Sequence, residues 1–96
     1  MLRGYTMSNH LCNDREDRLT RIAMTIGFGE VVKETYHKEG TSLLTDTGVM
    51  YIVDKPSRYI ITVYVATVKE VVAMFDGRPP SYLVSKARKN ERKFWG

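Results

Sequence analysis

Val49-Met-Tyr-Ile-Val53, Asp54-Lys-Pro-Ser-Arg58 and Tyr59-Ile-Ile-Thr-Val-Tyr-Val-Ala66 follow one another directly, and their reading decides the fold. The first and third stretches are rich in β-branched and aromatic residues, which pack well on a pleated surface. The middle stretch holds the Asp, Pro and Ser that turns use, so the three read as strand, hairpin loop and strand. Tyr59, Ile61, Val63 and Val65 alternate with Ile60, Thr62, Tyr64 and Ala66. The later strand is therefore apolar on both faces, which predicts a central place in an antiparallel meander. Upstream, Thr45-Asp46-Thr47-Gly48 is a tight-turn signature, with Gly48 able to take a positive φ at no steric cost. Ser42 to Thr45 reads as a short extended segment before it, and Val31, Val32, Thr35 and Tyr36 favour a further strand, with a helical turn at Glu30-Val-Val-Lys-Glu34 as the alternative.

Helical signals flank this region. Asn13-Asp14-Arg15-Glu16 has the form of a capping box, and Leu19, Ile22, Ala23 and Ile26 follow at helical spacing. A helix is predicted from about Asn13 to Ile26, with Gly27 as its left-handed stop. Thr67-Val68-Lys69-Glu70 is a second capping box, ahead of Val68, Val71, Val72 and Phe75 on one face. Gly77 ends that helix, and Arg78-Pro79-Pro80 forces a turn. Ser81 is expected to cap a last helix whose apolar marks are Leu83, Ala87 and Phe94. The predicted fold class is α+β: an N-terminal helix, a three- to four-stranded antiparallel β-meander and two C-terminal helices. It forms a single domain over residues 1–96, with residues 1–8 as a loose lead-in and residues 81–96 as a basic C-terminal helix.

Composition narrows the function classes. The chain has 96 residues, of which 43% are hydrophobic and 27% charged, the balance of an ordinary globular domain. A single cysteine, Cys12, excludes an internal disulfide and a multi-cysteine metal site. The run from Ile60 to Val68 is about half a membrane span, and Met1 to Asn13 has no apolar stretch of the signal-peptide kind. A cytoplasmic protein with no membrane partner is expected. No Gly-rich phosphate loop and no HxxxH or CxxC spacing occurs, so no metal and no cofactor is expected.

The net charge of +4 is concentrated in one place. Residues 78–96 carry six bases and one acid, whereas residues 1–77 balance to −1. Lys86, Lys89 and Lys93 share a stripe of the last helix, with Arg88 and Arg92 beside it. Such a cluster attracts polyanions, and Tyr82, Phe94 and Trp95 add rings that stack on bases or anchor a protein interface. Phe94 is expected to dock the helix onto the sheet, and Trp95 is less easily read as core. Lys86, Arg88, Lys89, Arg92, Lys93 and Trp95 are thus the candidate contacts to a protein or nucleic-acid partner, RNA being favoured among nucleic acids.

A second reading is metal-independent RNA cleavage, which needs few parts: an acid or base of near-neutral pKa, a cation for the phosphorane and a hydroxyl to hold the phosphate. His10 fits the first role. Arg15 or Arg18 fits the second. Thr62 and Tyr64, on one face of the predicted strand, fit the third, and Tyr64 also offers a stacking ring. The exposed strand Val31 to Tyr36 is also placed to pair edge to edge in a homodimer.

The stretch Leu44-Thr-Asp-Thr-Gly-Val-Met-Tyr-Ile-Val53, then Ile60-Ile-Thr-Val-Tyr-Val-Ala-Thr67 and the capped helix, resembles a group of small bacteriophage and prophage proteins. More distantly, the helix–meander–helix order is similar to the RelE/ParE-like and barnase/EndoU-like ribonuclease superfamily. The resemblance covers roughly residues 10 to 76. It implies a protein acting on host machinery inside a bacterium. It also implies functional positions at His10, Thr62 and Tyr64. The basic cluster departs from that pattern by lying on the C-terminal helices instead of the strands.

Overall fold

The computed structural model describes residues 2–7 and 16–95. A five-stranded sheet is covered by one helix on one face and two on the other. In chain order the elements are β1 (Thr6–Met7), α1 (Glu16–Thr25), β2 (Val31–Tyr36), β3 (Thr41–Thr45), β4 (Val49–Asp54), β5 (Tyr59–Val65), α2 (Val68–Met74) and α3 (Ser81–Asn90). A wide π-helical turn, Glu91–Trp95, continues α3. The capping box at Asn13 and the residues His10, Cys12 and Arg15 lie outside the described residues.

The strand order is β1-β5-β4-β3-β2, antiparallel from β2 to β5. The expectation of three to four antiparallel strands needs correction at one edge. Thr6 and Met7, expected to be a loose lead-in, pair parallel with Tyr59 and Ile60, making the sheet five-stranded and mixed. Leu2, Tyr5 and Met7 pack against the core beside them. The central strand is accordingly β4, with β5 between it and β1.

The alternation of β5 also breaks. Its register against β4 slips between the pairs Ile52–Thr62 and Val53–Ile60, so Ile61 is bulged and exposed. Beyond the bulge the phase reverses, and Ile60 joins Val63 and Val65 instead of opposing them. One sheet face, Leu43, Val49, Tyr51, Val53, Val63 and Val65, packs on Leu19 and Ile22 of α1. The other face offers Leu44, Met50 and Ile52 to Val71 and Met74 of α2 and to Leu83 and Ala87 of α3.

Helix ends follow the residues that satisfy them. Thr67 Oγ1 accepts from Glu70 N (3.2 Å), and Glu70 Oε1 accepts from Thr67 N (3.0 Å), closing the predicted capping box. Ser81 is not the cap of α3. Pro80 occupies that position with no side-chain bond, and Ser81 is the first helical residue. Gly27 ends α1 at φ +74, its N–H bonding back to Ile22 O at 2.8 Å. Ala23, expected on the apolar face, is exposed.

Candidate polyanion-binding groove

The turn between β3 and β4 holds three parts of the chain together. Thr47 Oγ1 lies 2.9 Å from Gly27 O and 3.1 Å from Thr45 Oγ1. A hydroxyl has one proton, and Gly27 O can only accept, so Thr47 donates there and Thr45 donates to Thr47. Thr45 Oγ1, fully buried, also accepts from Val49 N (3.1 Å). Asp46 Oδ1 accepts from Glu30 N (3.0 Å). From the other side, Asn90 Nδ2 donates to Thr47 O at 3.0 Å. Asn90 is only 4% exposed and falls on the Leu83–Ala87 stripe of α3. Its amide lies so close that a Cβ on Gly48 would be 2.7 Å from Nδ2, and Gly48 itself sits at φ +90. The turn thus ties the end of α1 and the end of α3 to the sheet.

Beyond Asn90 the chain rounds the end of the sheet. Leu83 and Ala87 pack on the face shared with α2, whereas Phe94 packs with the α1 cluster on the opposite face. The docking expected of Phe94 is therefore found. Arg21 Nη2 donates to Lys93 O (2.6 Å), and its guanidinium stands 4.6 Å from the Phe94 ring centre. Glu91, the one acid after Gly77, turns away. Its Oε1 accepts from Val68 N (2.9 Å), an otherwise unpaired donor in the first turn of α2.

A groove of about 760 Å³ lies along this passage. Lys86, Lys89, Arg92 and Lys93 form its cationic side. Thr25 and Ile26 at the end of α1 and Thr47 of the turn line it with them, together with Tyr82, which is 49% exposed. Among the described residues no Asp or Glu lines the groove, and no carboxylate lies within 4.0 Å of the nitrogens of those four cations. Lys89 and Lys93 repel each other at i, i+4, as do Arg88 and Arg92 outside the helix's stabilising pattern. The helix dipole offsets part of that cost for Arg88 and Lys89, which lie in the last turn of α3.

A smaller recess of about 240 Å³ begins one residue beyond the groove's Lys93, lined by Arg18, Arg21, Val65, Phe94 and Trp95. Trp95 Nε1 donates to Val65 O (3.0 Å), yet the residue is 54% exposed. One edge of the indole is pinned to the sheet while the ring faces solvent.

The residues considered for RNA cleavage are placed as follows. Thr62 and Tyr64 pair with Ile52 and Met50, so they belong to the face under α2 and α3. Tyr64 donates its hydroxyl proton to Glu70 Oε2 (2.9 Å). Burial first, and the Glu70 carboxylate second, push its pKa above the ordinary tyrosine range. Arg18 is on α1, across the sheet from them, and lines the Trp95 recess. His10 lies outside the described residues. Arg88 is exposed but does not line the groove. His37 is exposed, with Nε2 2.8 Å from Ser42 Oγ.

Sequence reading found the basic stripe but missed the opposite wall and the Asn90 lock. A polar residue three positions after Ala87, on the same apolar stripe, is the signal that pointed to the lock. Nothing local points to Thr25 and Thr47, which reach the groove only through the folded chain. Among the described residues there is no group of three or more metal-ligating side chains, and no helix is long and apolar enough to cross a membrane. No protein-family model matches the chain, and neither curated proteins nor solved structures yield a significant match.

Proposed function

We propose that the protein is a nucleic-acid-binding module whose groove holds the sugar–phosphate backbone of RNA. The observation that carries this reading is the acid-free groove wall of Lys86, Lys89, Arg92 and Lys93. Cations of one sign, crowded on one helix and left without carboxylates, raise the local potential and favour a polyanion. Structural charge is ordinarily paired or dispersed, and here Glu91, the acid within the basic segment, is bonded to the start of α2. Thr25 and Ser85 add exposed hydroxyls to the groove, suitable partners for a ribose 2′-hydroxyl.

The test is anisotropy of a labelled RNA against purified protein at increasing salt. Four phosphate contacts on a single strand predict that raising salt from about 50 to about 200 mM weakens binding about 50-fold. The DNA of the same sequence is expected to bind more weakly. Replacing Lys86 and Lys89 with Ala should flatten the salt dependence. Salt-independent binding, or binding indifferent to both replacements, would overturn the proposal.

A further inference from the structure

The recess beside the groove specifies more about the ligand. Trp95 is held by its N–H to Val65 O, so its orientation is fixed before any ligand arrives. The residue remains 54% exposed and lines the recess with Arg18. A large exposed ring is ordinarily free to turn and loses rotamer entropy when it stacks, whereas a pinned ring has already lost it. Lys93 of the groove and Trp95 of the recess are two residues apart, at most about 7.5 Å along the Cα trace. The groove and the recess are thus joined through the single residue Phe94, which puts the indole within reach of a strand bound at Lys93.

We infer that Trp95 is a base-stacking platform and that the strand the groove receives is single, not duplex. This rests on the groove reading above and adds the strandedness and the aromatic contact. The exposed ring favours a single strand over a duplex. A duplex buries its base faces against one another, leaving only edges to a protein, so the Trp95 face has nothing to stack on. Arg18 and Arg21 supply positive charge at the recess, and Arg21 already braces Lys93 and Phe94.

Trp95 is the single tryptophan of the chain, so its fluorescence reports this contact alone. The experiment titrates the whole protein with a single-stranded RNA of about ten nucleotides, its duplex, and inorganic polyphosphate, which has charge but no bases. Fluorescence of Trp95 and anisotropy of a labelled strand are read in parallel for wild type, Trp95→Ala, Trp95→Phe and Lys89→Glu. The single strand should quench Trp95 and bind at least about tenfold tighter than the duplex. Trp95→Ala should weaken the strand about tenfold or more and leave polyphosphate unaffected. Trp95→Phe, which keeps a ring, should recover most of the loss and guards against a folding defect in the alanine variant.

If the strand binds without quenching and Trp95→Ala binds as wild type does, the platform is refuted. Sensitivity to Lys89→Glu would then show that the groove reading stands without it. Equal affinity for the duplex refutes single-strand preference. Binding that ignores Lys89→Glu as well, or no binding of any nucleic acid, overturns both.

Discussion

The protein carries two groups of cations, and they are treated in opposite ways. Along the β2–β4–β5 side, three cations have company. Lys55 is ion-paired with Glu34 and lies over Tyr36, Lys33 stands 5.3 Å from the Phe75 ring centre, and Arg58 lies over Tyr5. Along α3 and the π-helical turn, Lys86, Lys89, Arg92 and Lys93 share a groove with no acid among the described residues. The first group decorates and braces the fold. The second is charge held in readiness, and this contrast, more than the total of +4, supports a binding role.

The largest expected effect tests that contrast directly. Reversing two groove cations, Lys89→Glu with Lys93→Glu, should lower RNA affinity at least about 100-fold at low salt. Reversing Lys33 and Lys55 should change it by less than about threefold, because neither lines the groove and Lys55 is already paired with Glu34. Equal losses from both pairs, measured by anisotropy, would reduce the site to a diffuse field.

Next in size is the scaffold behind the groove. Gly48→Val places a branched Cβ at a positive φ and against the Asn90 amide, and should cost about 3 kcal/mol in a urea melt. Asn90→Ala leaves Thr47 O without its donor and should cost about 1–3 kcal/mol. Both should weaken RNA binding through loss of groove geometry. A stable Asn90→Ala protein with wild-type affinity would separate the lock from the site.

Alkaline stability sharpens a different boundary, between buried and available polar groups. Burial pushes the Tyr51 pKa from 10.0 to about 12, and that of Tyr64 rises too. The folded state keeps both phenols protonated while the unfolded chain ionises them. Their contribution is therefore complete below pH 10 and is lost as pH climbs toward 12. Thermal melts should show that decline, and Tyr64→Phe should make it shallower. An unchanged slope would show that Tyr64 ionises freely in the fold.

The smallest effect is expected at Lys55 and Glu34. The hydrogen bond from Lys55 holds the Glu34 carboxyl below its usual pKa. That interaction is present above the ordinary glutamate range and lost as pH falls through the lowered value. Because the pair is exposed, Lys55→Ala should shift the denaturation midpoint barely at all at neutral pH, and any difference should vanish in acid.

What the sequence reveals depends on whether the cause is local. The β4–β5 hairpin, the Thr67 capping box and the Leu83–Ala87 stripe are each encoded within a few residues, and each is found. β1 escaped because a two-residue strand has no period to detect, and its pairing depends on a partner more than fifty positions away. The Ile61 bulge escaped because alternating apolar residues look the same with or without a slip. The groove was half legible. Its cations repeat along one helix, but its far wall comes from α1 and the β3–β4 turn, brought there by Asn90 and Thr47.

The buried Asn90 amide has a consequence for how occupancy could be sensed at a distance. It links the floor of the groove to backbone groups that water reaches only when the hairpin breathes. A ligand that steadies α3 should therefore slow deuterium uptake at the Val49 and Ala66 amides, which bond to Thr45 Oγ1 and Gly48 O. Those two interior positions become a gauge for events on the surface.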